Sequence, residues 1–408
     1  MNESFTPLTS HEAEVYLCPG ERKPVSRSVH LARLSSGHSA CQKCEHRTIS
    51  ASLPRTVLRQ LPTAAVSGQL NFDPQEGIRG RLVNDLTRER VSDLVCGILD
   101  LADFERRVQN EQGALRIVLG RDGRPESPDL AIGAAQALRQ SGVHLIDVNQ
   151  LSRPAFDFAI AEFQPHLGIY ITGGTRGARW NGLDLVESGG ITWLTPERID
   201  RLAAQLHRPR TRLGRTPGSY ELIDVIEDYE AIVSAQLHAL RPLRLGISCP
   251  DQGIRQTLRR VMERAPCDLH FLQVNPRSRQ DRQGRTLGDL VCERHLDLGV
   301  LFESDGRALT FVDETGSEVE VDRLLQILMI PYSDPHSEPR RRVDEVFKQG
   351  LGERAGREIQ RLENLPVTSD SQGRCWFLDQ TPACDALLTL ARVLEVLSLT
   401  EQPLSKLS

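Results

Sequence analysis

Short apolar runs alternate with amphipathic segments along most of this chain. After Thr87, apolar residues recur at 91, 94, 95, 98 and 99, which is one helical face, and Thr87 is the predicted N-cap. A strand follows at 116–119, and then a helix with Ser127 as the predicted N-cap and Gly142 as the stop. This spacing of strands and helices favours parallel pairing in a sheet covered by helices on both faces.

The same order of elements is predicted twice. In each copy a strand, a helix and a second strand lead to a third strand, which runs into a polar loop that contains glycine. The first copy uses strands at 115–118, 144–148 and 167–171, and the second uses strands at 243–246, 270–274 and 298–302. Sheets of this kind place ligands in the loops at the carboxyl ends of their strands, so the two loops are the candidate site.

Several short segments, in this order and spacing, resemble the phosphohexomutase family of phosphoglucomutases and phosphomannomutases. They are Gly77-Ile78-Arg79-Gly80, Gly120 to Arg124 with Ser127-Pro128, Thr172 to Gly182, Asp297 to Phe302, Asp313 to Gly316 and Asp322 to Leu324. The resemblance covers roughly residues 70 to 408. It implies a fold of tandem α/β/α domains of the mutase type.

The resemblance also implies a division of the chain. Residues 64–210 would hold the first mutase-type domain and the start of the second, and residues 211–408 the rest of the second and the third. A separate module is expected at 1–62. The match reaches the close of the third domain at Ser408, so we expect no counterpart of the family's fourth domain.

The loop that carries the nucleophile in the family is altered. Family members use a serine in a Thr-X-Ser-His-Asn-Pro loop to carry the phosphoryl group. Here the loop reads Thr172-Gly173-Gly174-Thr175-Arg176, so a glycine stands at the serine position. The hydroxyl of Thr175 lies one residue along and would need a shifted loop to attack in line. We therefore assign no catalytic residue in this loop.

This chain also differs from the family in the loop that binds the metal ion. The resemblance implies an Asp-Gly-Asp-Gly-Asp-Arg loop that holds magnesium through alternate carboxylates. This chain has Glu303 and Asp305 at the first two positions and Arg307 at the third. A guanidinium repels a second cation, so we expect it to take the place of the magnesium ion. We expect Arg79, Arg176, Arg179 and Arg307 to bind the phosphate of a sugar phosphate.

The N-terminal module carries a candidate zinc site. Cys18, Cys41 and Cys44 supply three thiols, the last two at Cys-X2-Cys spacing, and His30 is our candidate for the fourth ligand. Three unrelated thiols are the alternative. A zinc-ribbon-like module would bind a protein partner, nucleic acid or only its own domain, and the sequence does not choose among these.

Charge and composition limit the classes of function. With 408 residues the chain is long enough for several domains, and 50 basic against 55 acidic residues give a net charge of −5. This balance lacks the basic field of a dedicated nucleic-acid binder. No apolar run is long enough to span a bilayer, and the first residues lack a signal-peptide core. We therefore expect a cytoplasmic protein without membrane or nucleic-acid contact.

The sequence thus predicts a mutase-type fold with altered chemistry. We expect a family member without mutase turnover, a pseudoenzyme, that binds a phosphorylated sugar or a protein partner. Two alternatives stay open. One is an active phosphoglucomutase or phosphomannomutase, an isomerase by class, with an altered loop, and the other is a scaffold that works through the zinc module.

Overall fold

The fold is known from a computed structural model, which describes most of the chain. The described residues are 15–17, 23–36, 38–42, 44, 46, 70–81, 85–108, 113–177, 179–187, 190–206, 217–237, 239–273, 285–333, 366–370, 372–377 and 384–407. Cys18 and the predicted boundary near 210 lie outside them.

The described strands are β1 (Val15–Tyr16), β2 (Val25–Ser26), β3 (Asn71–Asp73), β4 (Gly77–Arg81), β5 (Arg116–Arg121), β6 (His144–Gln150), β7 (Leu167–Ile171), β8 (Trp180–Val186), β9 (Tyr220–Leu222), β10 (Leu243–Ser248), β11 (Cys267–Phe271), β12 (Leu298–Phe302), β13 (Leu309–Val312), β14 (Val367–Ser369) and β15 (Cys375–Phe377). The described α-helices are α1 (Arg27–Ser36), α2 (Ser39–Gln42), α3 (Arg88–Val108), α4 (Ser127–Gln140), α5 (Arg153–Phe163), α6 (Pro196–Leu206), α7 (Ile226–Ala235), α8 (Gln252–Met262), α9 (Leu287–Arg294), α10 (Val321–Met329) and α11 (Ala386–Thr400).

The larger sheet has seven strands in the order β3-β4-β8-β7-β5-β6-β9. β5 pairs in parallel with β6 and β7, as predicted, but β8 runs antiparallel to both β7 and β4. The predicted parallel pairing is therefore confirmed for β5, β6 and β7 and wrong for β8. The segment between β7 and β8 is too short to hold a crossover helix, so the chain returns antiparallel.

A second sheet repeats four strands of the first. Its order is β11-β10-β12-β13, which matches β6-β5-β7-β8 in the larger sheet. β10 is parallel to β11 and β12, and β13 is antiparallel to β12, so both order and direction recur. The predicted internal repeat is thus present, although β11 begins three residues before the predicted strand at 270–274. These are the two α/β sheets in the described part of the chain.

One apolar core lies between the two sheets. Phe156 and Ile160 of α5 belong to the same buried cluster as Ile247 of β10, Phe311 of β13 and Leu390 of α11. The opposite face of the larger sheet is covered by α3, α4 and α6 in a second cluster. The start of α5 lies beside the loop after β12, because Cδ of Pro154 is 3.4 Å from the position of a β-carbon at Gly306.

Two predicted helix caps have different outcomes. The Thr87 hydroxyl accepts the N–H of Arg90 at 3.2 Å, which confirms Thr87 as the cap of α3. Ser127 is instead the first residue of α4, and its hydroxyl donates to the Asp122 carboxylate at 2.5 Å. The competing carboxylate explains why Ser127 does not cap the helix. Among the described helices, none has the length and hydropathy needed to cross a bilayer.

Candidate functional site

The guanidinium of Arg124 holds the loop between β7 and β8 in place. It donates to four backbone carbonyl oxygens of that loop, those of Gly174 at 2.9 Å, Arg176 at 2.7 Å, Gly177 at 3.2 Å and Trp180 at 3.1 Å. One planar side chain thus fixes the loop that stands where the family has its nucleophile.

Asp122 joins this loop to the start of α4. Its carboxylate accepts the Nε–H of Arg124 at 3.0 Å, the N–H of Gly173 at 3.3 Å and the hydroxyl of Ser127. Asn181 donates to the same hydroxyl at 2.9 Å. Two of the short segments that carry the family resemblance, Gly120 to Arg124 with Ser127-Pro128 and Thr172 to Gly182, therefore form one hydrogen-bond network around the loop.

The loop has glycine at its centre for a steric reason. Gly174 adopts a φ of +57°, and a β-carbon at this position would lie 2.9 Å from Nη2 of Arg79. Its N–H donates to the Thr172 hydroxyl at 2.9 Å, while the Thr175 side chain is exposed. Any side chain at 174 would be crowded by a guanidinium as well as strained in its backbone.

The two repeat loops face each other, as the sequence predicts. The Ser304 hydroxyl, in the loop after β12, lies 3.4 Å from the carbonyl oxygen of Gly174, in the loop after β7. The loop after β12 is also tied to α11, because the N–H of Ala386 donates to the carbonyl oxygen of Gly306 at 3.0 Å. We call the space between these loops the cleft.

A buried ionic network runs beneath the cleft. Asp184 of β8 accepts from Arg79 of β4 and from Arg153 of α5, each at 2.5 Å, and Arg153 also donates to Asp157 at 2.9 Å. All four side chains are buried. Burial alone would raise the pKa of Asp184, but Arg79, Arg153 and Arg307 outweigh it and hold that pKa below its ordinary value.

Arg307 adds a third guanidinium, paired with a third carboxylate. Its side-chain Nε–H donates to Asp305 Oδ2 at 2.9 Å, and its backbone N–H donates to Oδ1 of the same aspartate at 3.1 Å. Burial lowers the pKa of Arg307, yet Asp305 and the other acidic groups around it raise that pKa above its ordinary value. Arg307 therefore stays charged, and it neutralises the carboxylate that would otherwise attract a metal ion.

The residues of this loop do not fit a magnesium ion. Among the described side chains, no group of three or more His, Cys, Asp or Glu is arranged to hold a metal. Glu303 and Asp305 therefore form no metal site with a neighbour, and Asp305 is already bound to Arg307. The replacement of the metal ion by a guanidinium stays a prediction.

The other predicted phosphate-binding arginines have mixed surroundings. Arg176 forms a salt bridge with Glu76, through an Nε contact of 3.0 Å, and its guanidinium lies 4.7 Å from the Trp180 ring centroid. Arg179 is exposed, and the described residues offer it no ion-pair partner. Three of the four predicted arginines, Arg79, Arg176 and Arg307, are thus paired with carboxylates of the chain itself.

Sequence reasoning missed the central members of this network. Asp184 lies within β8, and no neighbouring residue in the sequence indicates that its carboxylate is buried in an ion pair. The pairing of Arg153 with Asp157 could have been predicted, because residues four positions apart at the start of a helix lie on one face. When an arginine and an aspartate at this spacing lie on the buried face of a helix, they are expected to pair with each other instead of with water.

The candidate zinc ligands are only partly brought together. Cys41 and Cys44 are buried, and His30 is buried with its ring stacked on Tyr16 at 4.4 Å between centroids. These three side chains do not form a three-ligand group in the described structure, and Cys18 lies outside it. The described ligands alone therefore do not make a zinc site.

Comparison with known proteins supports the family resemblance. Residues 74–212 match the family described as phosphoglucomutase/phosphomannomutase, alpha/beta/alpha domain I. A phosphoglucosamine mutase of Frankia casuarinae is 26% identical over 364 residues, which cover 82% of this chain and 80% of the relative. A phosphomannomutase/phosphoglucomutase of Pseudomonas syringae pv. tomato is 26% identical over 235 residues, which cover 55% of this chain and 49% of that protein.

Solved structures show the same fold. A phosphoglucomutase/phosphomannomutase family protein from Burkholderia thailandensis superposes with a TM-score of 0.63 at 21% identity, covering 81% of this chain and 78% of the other. A putative phosphomannomutase from Thermus thermophilus gives 0.61 at 16% identity, covering 83% and 82%. Residues 74–212 are thus similar to domain I of the phosphoglucomutase/phosphomannomutase family, and the chain shares the fold of these solved structures. Within this fold, the loop after β7 has glycine at 174 and the loop after β12 has arginine at 307, the positions that the resemblance aligns with the nucleophile and with a metal ligand.

Proposed function

We propose that this phosphohexomutase-family protein has no mutase turnover and uses its cleft to bind phosphorylated sugars. The observation that carries the proposal is the position of two guanidinium groups. That of Arg79 crowds the site of the missing serine at Gly174, and that of Arg307 is bound to Asp305 in the metal loop. Without the serine no phosphoryl group can be held covalently between sugar oxygens.

The charge balance of the cleft supports binding without catalysis. Arg79, Arg153 and Arg307 face Asp184, Asp157 and Asp305, so three cations meet three anions with no metal ion required. A transferring phosphoryl group needs surplus positive charge in its transition state. The cleft offers this only where a ligand competes with the chain's own carboxylates, which favours weak binding over turnover.

The alternative is an active mutase, and the names of the relatives indicate which substrates to test. The protein should therefore be assayed with glucose 1-phosphate, mannose 1-phosphate and glucosamine 6-phosphate, each with magnesium and the matching bisphosphate primer. We expect no turnover that co-elutes with the protein. Turnover that co-elutes and is lost in Thr175→Val would overturn the proposal and assign Thr175 as the nucleophile.

A protein partner is the competing interpretation of a binding function. If glucose 6-phosphate fails to bind in calorimetry up to about 10 mM, the cleft is not a sugar phosphate site at any useful affinity. The N-terminal module would then be the part of the chain to test for partners. This result is separate from the turnover assay, so absence of catalysis and absence of binding are decided independently.

A further inference from the structure

A second concave site lies on the larger sheet and shares no residue with the cleft. A cavity of about 780 Å³ opens between α4, the end of β5, β6 and the edge strand β9. Cavities that hold small organic ligands have volumes of about 300–1,000 Å³. The size of this cavity is therefore that of a ligand site, and it is much larger than inorganic phosphate needs.

The walls present apolar and aromatic surface to solvent. Ile132, Gln136 and Arg139 follow one another at helical spacing along one face of α4, and Ile132 is 52% exposed. On the other wall, the Tyr220 side chain of β9 is 45% exposed, and the Arg139 guanidinium lies 5.9 Å from its ring centroid. A flat ring placed against Tyr220 and Ile132 would cover both.

The charge of the cavity favours an anion. Arg121, at the end of β5, and Arg139 of α4 both line it, whereas Asp147 supplies the opposing charge and accepts the Tyr220 hydroxyl at 3.0 Å. The Nε of Arg121 is buried and has no hydrogen-bond partner among the described residues. Two guanidiniums against one engaged carboxylate leave a net positive site with an unused donor.

We propose that this cavity binds a nucleoside monophosphate, or an organic anion of that size with a planar ring. The phosphate would pair with Arg121 and Arg139, since guanidinium groups match phosphate oxygens with paired donors. The ring would stack on Tyr220, and the Gln136 amide would reach its polar edge. An acyl chain would leave both arginines unmatched, and a sugar phosphate would leave the tyrosine ring exposed.

Calorimetry on the full chain with adenosine 5′-monophosphate tests this site. Adenosine, which lacks the charge, and ribose 5-phosphate, which lacks the ring, are the comparison ligands. We expect the monophosphate to bind at least roughly tenfold more tightly than either, because each group supplies a separate part of the binding energy. Equal affinity for the monophosphate and ribose 5-phosphate, or no binding of the monophosphate at 10 mM or below, overturns the proposal.

A matched pair of variants locates the site. Ile132→Glu and Ile132→Lys change one exposed side chain to similar lengths and opposite charges, so neither is expected to disturb folding. Glutamate should weaken binding of the monophosphate roughly tenfold, because it repels the phosphate, and lysine should not weaken that binding. If the two variants bind alike, or if Arg176→Gln in the cleft abolishes binding while Ile132→Glu does not, the nucleotide sits elsewhere and the proposal is wrong.

Discussion

The guanidinium of Arg79 occupies the space that a side chain at Gly174 would need. A β-carbon at 174 would lie 2.9 Å from Nη2 of Arg79, which is held by its bond to Asp184. Gly174 is also in the left-handed region, at φ +57°. The loop is therefore adapted to glycine, and restoring a serine would disturb a buried ion pair.

We predict that Gly174→Ser does not restore mutase turnover. The serine would be strained and crowded, and Arg307 would still fill the metal loop. The stability cost is best measured with Gly174→Ala, which should lower the free energy of unfolding by about 1–2 kcal/mol in urea denaturation because left-handed backbone disfavours a β-carbon.

The matched control lies in the same loop. Gly177 has no atom within 4 Å of its missing β-carbon, and its φ is not in the left-handed region. Gly177→Ala should change the free energy of unfolding by less than about 0.5 kcal/mol. Equal costs at 174 and 177 would show that Arg79 does not restrict the loop.

A second prediction concerns the buried network. Asp184→Asn keeps the shape of the side chain but removes the charge shared by Arg79 and Arg153. Leaving buried guanidiniums without a full counter-charge should cost about 3–5 kcal/mol in the free energy of unfolding. Asp129→Asn, which breaks an exposed pair with Arg88, is the control and should leave the free energy of unfolding unchanged. Similar small effects at both positions would contradict a structural role for the network.

The fold was predictable from the sequence because its signals are local. The strand at β5, the helix after Thr87 and the repeat of β5, β6 and β7 as β10, β11 and β12 follow from apolar spacing and caps. Antiparallel β8 was not predicted, because strand direction depends on the length of a connection rather than on the strand's own residues.

The site was predictable only in part, for a different reason. The loss of the serine at 174 and the arginine at 307 could be read directly from the aligned motifs. Which carboxylate each arginine binds could not, because Asp184 approaches Arg79 from 105 positions away in sequence. Long-range pairing of this kind leaves no local pattern.

A third prediction uses the acidity of Asp385. This residue caps α11 and accepts the Tyr229 hydroxyl at 2.8 Å, and burial raises its pKa to about 6 despite that hydrogen bond. The folded state therefore holds the proton more tightly than the unfolded state does. The resulting stability is fully present below about pH 4 and is lost as the pH rises through about 6.

Asp385→Asn should remove this component, since asparagine keeps the capping oxygen but does not titrate. The difference in free energy of unfolding between wild type and variant should shift in favour of the variant from pH 4.5 to 7. Tyr229→Phe is the companion variant. The Tyr229 hydrogen bond lowers the pKa of Asp385, so its loss should raise that pKa and move the loss of stability to higher pH. Parallel curves for wild type and Asp385→Asn would show that the carboxyl does not titrate in this range.

A fourth prediction addresses zinc in the N-terminal module. We expect about one zinc ion per chain by elemental analysis, with Cys41 and Cys44 as ligands and Cys18 completing the thiols. Cys41→Ser with Cys44→Ser should abolish the zinc, whereas Cys96→Ser, a buried thiol on α3, should keep it. Less than half an equivalent in the wild type would leave three unrelated thiols as the correct interpretation.

The last prediction tests whether the cleft's own carboxylates limit its affinity for phosphate. Glu76 binds the Arg176 guanidinium at the cleft and is 47% exposed, so a ligand must displace it to use that arginine. We expect glucose 6-phosphate to bind the wild type with a dissociation constant on the order of 0.1–1 mM, and Arg307→Ala to weaken it. Glu76→Gln should tighten binding several-fold because it frees Arg176 without adding a charge. Glu293→Gln removes the same charge from a similarly exposed carboxylate on α9, which pairs with Arg285, so it should leave the affinity unchanged. If both glutamine variants bind alike, the effect is one of net charge alone, and the phosphate does not lie between the two loops.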